Sequence, residues 1–232
     1  MEQIENCNPC LSSINRLFKT LNNEQSQYLE EQKICNEYKK GSILYKETSR
    51  IMGVYCICKG VLKIYKTGSD GKEQIVAFAR SGDITGYRSI LSNEAACTTA
   101  EAIQNAIVCQ IPSNVIIELV KTNGNFALHL LKLTCRELNQ ANSFIKDIAQ
   151  KTVRERLAET LLMLEETFGV TEEGYLNIIL TREEIANIVG TATESVIRLL
   201  SEFRREKIIS MKGKQLALKN KPYLQKLSKA FN

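Results

Sequence analysis

Between Lys40 and Pro112 the apolar residues come in short bursts separated by glycine-bearing polar stretches. Ile43 to Tyr45, Val54 to Cys58, Val61 to Tyr65, Ile75 to Phe78 and Ile107 to Ile111 are the bursts; KKGS, CKG, TGSDGK and RSGDITG lie around them. Apolar runs this short, closed by Gly, Asp and Ser, predict strands. Asp70-Gly71 predicts a hairpin, because the favoured tight turns need positive φ and glycine supplies it without steric cost. Several short strands at regular spacing predict a small antiparallel β-roll, jelly-roll-like in build. Upstream, Leu17, Leu21, Leu29 and Ile34 are spaced as a short helix and connector.

The period changes after Pro112. Two series step by seven, Ala127, Thr134, Ala141, Ile148 and Leu131, Leu138, Ile145, Thr152. Their 4-3 interleaving is the narrow seam of a coiled coil. Residues 113–150 are therefore expected to form a long dimerisation helix with Leu131, Leu138, Ala141, Ile145 and Ile148 on its seam. Leu130, Leu133 and Phe144 widen the apolar face toward the roll. A single amphipathic helix covering the sheet is the plainer alternative. The seam runs without a Gly/Ser linker into KTVRERLAETLLMLEETFG, a second helix ending at Gly169.

The stretch TREEIANIVGTATESVIRLLSEF carries a third pattern. Ile185, Val189, Val196 and Leu199 are apolar, Ala186 is small where two helices must approach, and Gly190 sits where the turn needs a left-handed residue. Those offsets predict a helix-turn-helix. Two short apolar runs around Gly213 follow, a hairpin wing with Lys212 and Lys214 at its tip, placed for phosphate contact. YLNIIL, residues 175–180, could add a strand. The fold class is thus α+β, with a sensor roll over 1–112, a dimerisation helix over 113–150 and a winged-helix DNA-binding domain over 151–232.

Composition sharpens this picture. At 44% hydrophobic and 25% charged the 232-residue chain reads as an ordinary globular protein. It has no apolar run of the roughly 18 residues a membrane span needs, and its start lacks the basic and apolar regions of a signal peptide. No membrane partner and a cytoplasmic location are expected. Residues 195–232 hold ten Lys and Arg against two acidic residues, an electrostatic footprint for a phosphate backbone. On the second helix Glu194 and Arg198 stand four apart on one face, beside Thr193. In a major groove Arg can pair with guanine and Glu can accept from cytosine. The rival reading of Glu194 is a capping box, TATE, with Thr191 as the cap.

Eight cysteines in a reducing compartment point to metal, redox sensing or plain burial. Cys7 and Cys10 stand at C-x-x-C spacing. A thiol oxidoreductase would need a low-pKa thiolate in a βαβ setting, which the pattern around Cys7 does not predict, so no enzyme and no catalytic residues are expected.

Taken together, these residues resemble the CRP/FNR family of bacterial transcription regulators over nearly the whole chain. The resemblance implies that Glu194 and Arg198 are the main base readers, with Thr193 at the preceding variable position, and that Thr181, Arg182 and Ser195 contact phosphate. Ile197 stands where relatives often have Gly or Ser, and Ala192 where a Ser or Thr cap is usual. It also implies a homodimer on double-stranded DNA carrying an inverted repeat, with RNA polymerase as a partner. The cyclic-AMP type needs a Gly-Glu pair and a downstream Arg; here Tyr87 follows Gly86 and Ala96-Cys97 falls near the arginine position, so cyclic AMP is not expected as the signal. The oxygen-sensing type holds an iron–sulfur cluster on three N-terminal cysteines and one before an IP pair. Cys7, Cys10 and Cys109 match three of these positions, Arg16 falls at the other, and Cys35 is the residue expected to complete the set. A cluster or other metal, a reversible thiol switch, and no ligand role all stay open, as does a small-molecule effector in a differently built pocket. Cys56, Cys58, Cys97 and Cys135 are read as packing residues, and His129 as an ordinary helix residue.

Overall fold

The structure is a computed structural model and describes residues 17–229. Cys7 and Cys10 lie outside the described residues. The chain divides into two units, 1–139 and 140–232.

In the first unit a 3-10 turn at Phe18–Thr20 leads into α1 (Asn23–Gln32), started by a capping box between Asn22 and Gln25. The roll follows: β1 (Ile34–Tyr38), β2 (Ile43–Tyr45), β3 (Gly53–Lys59), β4 (Val61–Thr67), β5 (Glu73–Arg80), β6 (Ile84–Thr85), α2 (Tyr87–Ser92), β7 (Thr99–Ala102) and β8 (Ala106–Pro112). Two four-stranded sheets result, ordered β1-β8-β3-β6 and β2-β7-β4-β5, with every pairing antiparallel. All five expected strands are present. The β4–β5 hairpin turns at Gly71, which has φ +78. The polar-looking strands β1, β6 and β7 and the helix α2 were not expected.

The sheet β1-β8-β3-β6 is buried on both faces, and strand alternation sorts its residues. Tyr55, Ile57 and Val108 point into the roll with Leu62, Ala100 and Ala102. Val54, Cys56, Cys109, Ile111 and Cys35 face outward and pack under Leu29, Val115, Ile116, Leu119, Phe126 and Leu130. Within the roll, Lys63 is buried between Glu73, at 2.6 Å, and Glu101, at 3.3 Å. Burial opposes its charge, but the two carboxylates win and hold its pKa above the usual lysine value.

The helical stretch after Pro112 is two helices, α3 (Ser113–Thr122) and α4 (Gly124–Gln150). Asn123 breaks it with an extended backbone, φ −128 and ψ 96. Its side chain accepts from the Phe126 amide and donates to Thr20 O and Gln25 Oε1. The break has a physical cause, because Asn123 caps α4: its Oδ1 takes the Phe126 amide that a continuous helix would give to Thr122 O, while its own backbone still bonds Leu119 O and the Ala127 amide. Among the described residues no helix is long and apolar enough to cross a membrane.

In the second unit, α5 (Val153–Phe168) starts at a Thr152–Glu155 capping box and ends at Gly169. Thr152, read as a seam position, is thus a helix cap. α6 (Arg182–Val189) and α7 (Thr193–Arg205) follow, then β9 (Ile209–Lys212), β10 (Gln215–Leu218) and α8 (Lys221–Ser228). YLNIIL forms no strand; it makes one bridge, Val170 with Leu176, and Leu176 N donates to Leu216 O beside the wing. The core joins Leu157, Leu161, Ile185, Ala186, Val196, Leu199 and Phe203, all within 4% of full burial. α8 escaped the sequence reading because only Leu224 on it is buried.

Candidate DNA-reading surface and sulfur site

α6 begins at a capping box in which Thr181 Oγ1 accepts from the Glu184 amide while Glu184 Oε2 accepts from the Thr181 amide. It ends at Gly190, φ +71 and ψ 56, the left-handed conformation that turns the chain into α7. Arg156 on α5 grips that turn by donating to the Val189 and Gly190 carbonyls. α7 starts at Ala192 with no side-chain cap, so Thr191 does not serve there and the TATE box is absent. Glu194 is accordingly not engaged as a cap.

α7 divides sharply. Val196, Leu199, Leu200 and Phe203 are buried, while Glu194, Ile197, Arg198 and Ser201 form an exposed stripe at i, i+3, i+4 and i+7. Thr193 and Ser195 flank the stripe, half-buried. Arg198 does not pair with Glu194. It donates to Glu202 Oε1 at 3.0 Å, and Glu202 Oε2 accepts from Arg154 at 3.0 Å. Arg154 also reaches Glu206 and lies over the Phe203 ring. Burial and then the bonds to Tyr223 and Glu206 act on Arg154 in opposite senses, and the net effect raises its pKa.

Of the residues expected at phosphate, Lys212 and Lys214 stand exposed on either side of Gly213 at the wing tip. Arg182 instead leans on the wing, donating to Gly213 O and Met211 Sδ. Its second terminal nitrogen is buried without a partner, and burial pulls the guanidinium pKa down. Thr181 spends its hydroxyl lone pair on the cap.

On α4, Leu131, Leu138, Ala141, Ile145 and Ile148 are all exposed in the single chain, Leu138 by 61% and Ile145 by 66%. Leu130 is buried and Leu133 packs on the sheet side. The helix therefore covers the sheet and still carries an uncovered apolar seam. Among the described residues, His129 bonds its own helix, through Asn125 O.

The cysteines are arranged differently from expectation. Cys35 and Cys109 face each other across β1 and β8 and are joined as a disulfide. Cys56 is the partner of Cys109 on β3, so three cysteines form one rank across three strands. Cys58 packs against the core above the sheet, as read from sequence, but it is not a free thiol, and its sulfur lies 3.3 Å from that of Cys109. The residue missed was Cys58. Its same-face relation to Cys56 was legible, but the strand register that brings both to Cys109 was not. Cys56 is buried as expected, whereas Cys97 and Cys135, also read as packing residues, are exposed. As a disulfide Cys35 and Cys109 offer no thiolates, so the described residues do not fit an iron–sulfur cluster in this oxidation state. No group of three or more His, Cys, Asp or Glu among the described residues is disposed to hold a metal.

The cavity beneath α2 is lined by Tyr45, Thr85, Gly86, Tyr87, Arg88, Thr98 and Glu137 and has a volume of about 30 Å³. That is room for a water or two, not a nucleotide. Arg88 is paired with Glu137 at 3.4 Å. The Tyr87 hydroxyl is buried without a hydrogen bond; burial and then the Glu137 carboxylate raise its pKa.

A β-roll followed by a helix with an apolar seam and a winged helix-turn-helix with an exposed polar stripe defines a DNA-binding transcription regulator. The chain belongs to the CRP/FNR family. A cyclic nucleotide-binding domain model matches residues 35–123, and a Crp-like helix-turn-helix domain model matches residues 155–227. The chain is 30% identical over 193 residues to the fumarate and nitrate reduction regulatory protein of Yersinia pestis, covering 82% of this chain and 76% of that one. The same regulator from Escherichia coli K12 is 28% identical over 193 residues. Among solved structures, FixK2 from Bradyrhizobium japonicum is 28% identical with a TM-score of 0.75, over 83% of this chain and 96% of that one. A regulator from Eubacterium rectale, 21% identical, shares the fold with a TM-score of 0.78, over 92% of this chain and 98% of that one.

Proposed function

We propose that the chain works as a homodimer that reads an inverted repeat in double-stranded DNA, with each α7 in a major groove and half-sites about 34 Å apart. The observation that carries this reading is the pairing of two exposed stripes, an apolar one on α4 and a polar one on α7. The α4 seam pairs with its copy. Glu194 and Arg198 read a G·C pair, and Thr193 tunes the neighbouring position. Lys212, Lys214 and Ser195 contact phosphate, as do Thr181 and Arg182 with their remaining donors. Arg198 leaves Glu202 to do so, and Glu202 keeps Arg154 as its partner. RNA polymerase is the onward partner at promoters, in the cytoplasm. Arg198→Ala should cost about 1–3 kcal/mol on the specific site and little on random duplex, measured by titration at fixed salt. Equal loss on both duplexes rejects base reading.

The signal is read as redox, through the sulfur rank of the roll. Two electrons and two protons turn the Cys35–Cys109 disulfide into two thiols, at a place where β1, β8 and β3 meet the helices above. Reduction also returns both residues as metal donors. Iron and sulfide content of protein purified without air, together with a thiol count before and after reductant, separates the two chemistries. DNA affinity that ignores both oxidation state and metal content rejects the sulfur rank as the sensor.

A further inference from the structure

Ile197 sits in the middle of the outward stripe of α7, one position before Arg198 and three after Glu194. It is 49% exposed. Helix propensity does not explain it, because a β-branched residue is among the weaker helix formers on an exposed face. Packing does not explain it, because the buried side of α7 is supplied by Val196, Leu199, Leu200 and Phe203. Ser201, next along the stripe, turns its hydroxyl back onto the Ile197 carbonyl. The outward groups near Ile197 are therefore a carboxylate, a guanidinium and one branched hydrocarbon.

In a major groove, every base edge presents hydrogen-bonding groups, and thymine alone among the four adds a methyl. A branched apolar side chain has nothing to gain from a phosphate or a polar edge. We propose that Ile197 is a specificity-determining residue that packs on a thymine C5-methyl in the half-site. This inference rests on the reading in which α7 enters the major groove with Glu194 and Arg198 on the bases. Ile197 lies about 1.5 Å along the helix axis from Arg198, less than one base-pair step of about 3.4 Å. The thymine is therefore next to the G·C pair that Arg198 reads.

The test uses the full chain and a half-site selected from a randomised duplex pool. Each thymine is replaced singly by uracil, which removes the methyl and nothing else. One replacement beside the Arg198-dependent G·C pair should weaken wild-type binding about fourfold, the worth of one methyl withdrawn from water. The same replacement should leave I197S and I197A binding unchanged, while both variants bind random duplex as the wild type does. If no uracil position separates wild type from I197S while R198A still loses the selected site selectively, the thymine contact is wrong and the groove reading stands. If R198A binds selected and random duplex with the same loss, the groove reading itself fails and takes this inference with it.

Discussion

The roll and the winged helix are held together by different chemistry. In the roll, reactive groups are inside: a disulfide, a further sulfur 3.3 Å away and a lysine between two glutamates all lie within or against the packed sheets. In the winged helix the core is aliphatic and aromatic, and the charged groups form a chain on its surface, Arg198–Glu202–Arg154–Glu206. Chemistry buried in a core changes packing when it changes state. Chemistry on a surface is free to exchange partners at little cost. The first unit therefore holds groups whose change of state would alter its packing, and the second holds surface contacts that can be traded.

This contrast can be broken at graded cost. The largest effect is expected for Phe203→Ala, which empties the winged-helix core and removes the ring under Arg154. It should cost about 3–5 kcal/mol. Hydrogen exchange should then rise through α5, α6 and α7 while the roll amides stay protected. Next, reduction of the Cys35–Cys109 bond, or Cys35→Ser, should destabilise the roll by about 2–4 kcal/mol, read as a lower denaturant midpoint in that unit alone. Gly190→Ala should follow at about 1–2 kcal/mol, because an added Cβ disfavours the left-handed turn, with loss of DNA affinity tracking loss of helix signal. Thr181→Ala should be smallest, about 1 kcal/mol, as a lost helix cap read by thermal unfolding. If Cys35→Ser unfolds the winged helix as much as the roll, the division of labour between the units is wrong.

The same contrast explains what could be read along the chain. The helix-turn-helix is specified by neighbours: caps three residues apart, a left-handed glycine and apolar steps of three and four. All of it was legible, except that Thr191 does not cap α7. The roll depends on partners far away. β1 reads as ICNEY, with no alternation of obvious apolar residues, and becomes a strand because β8 lies 74 residues further on to receive it. β7 reads as TAEA, and its Ala100 and Ala102 are fully buried only because the strand lies against the roll interior. The sulfur contact of Cys58 was hidden for the same reason, since its place beside Cys109 is fixed by a strand register that shifts between Ile57 and Lys59. The break at Asn123 was hidden by the apolar residues that continue on both sides of it.

Asn123 also has a mechanical consequence. One amide side chain holds the residues just past the start of the described chain, Thr20 and Gln25, and the first turn of α4. It is the pin at the root of α4, a helix of 27 residues or about 40 Å, so the angle at which that helix leaves α3 is set by three hydrogen bonds of one side chain.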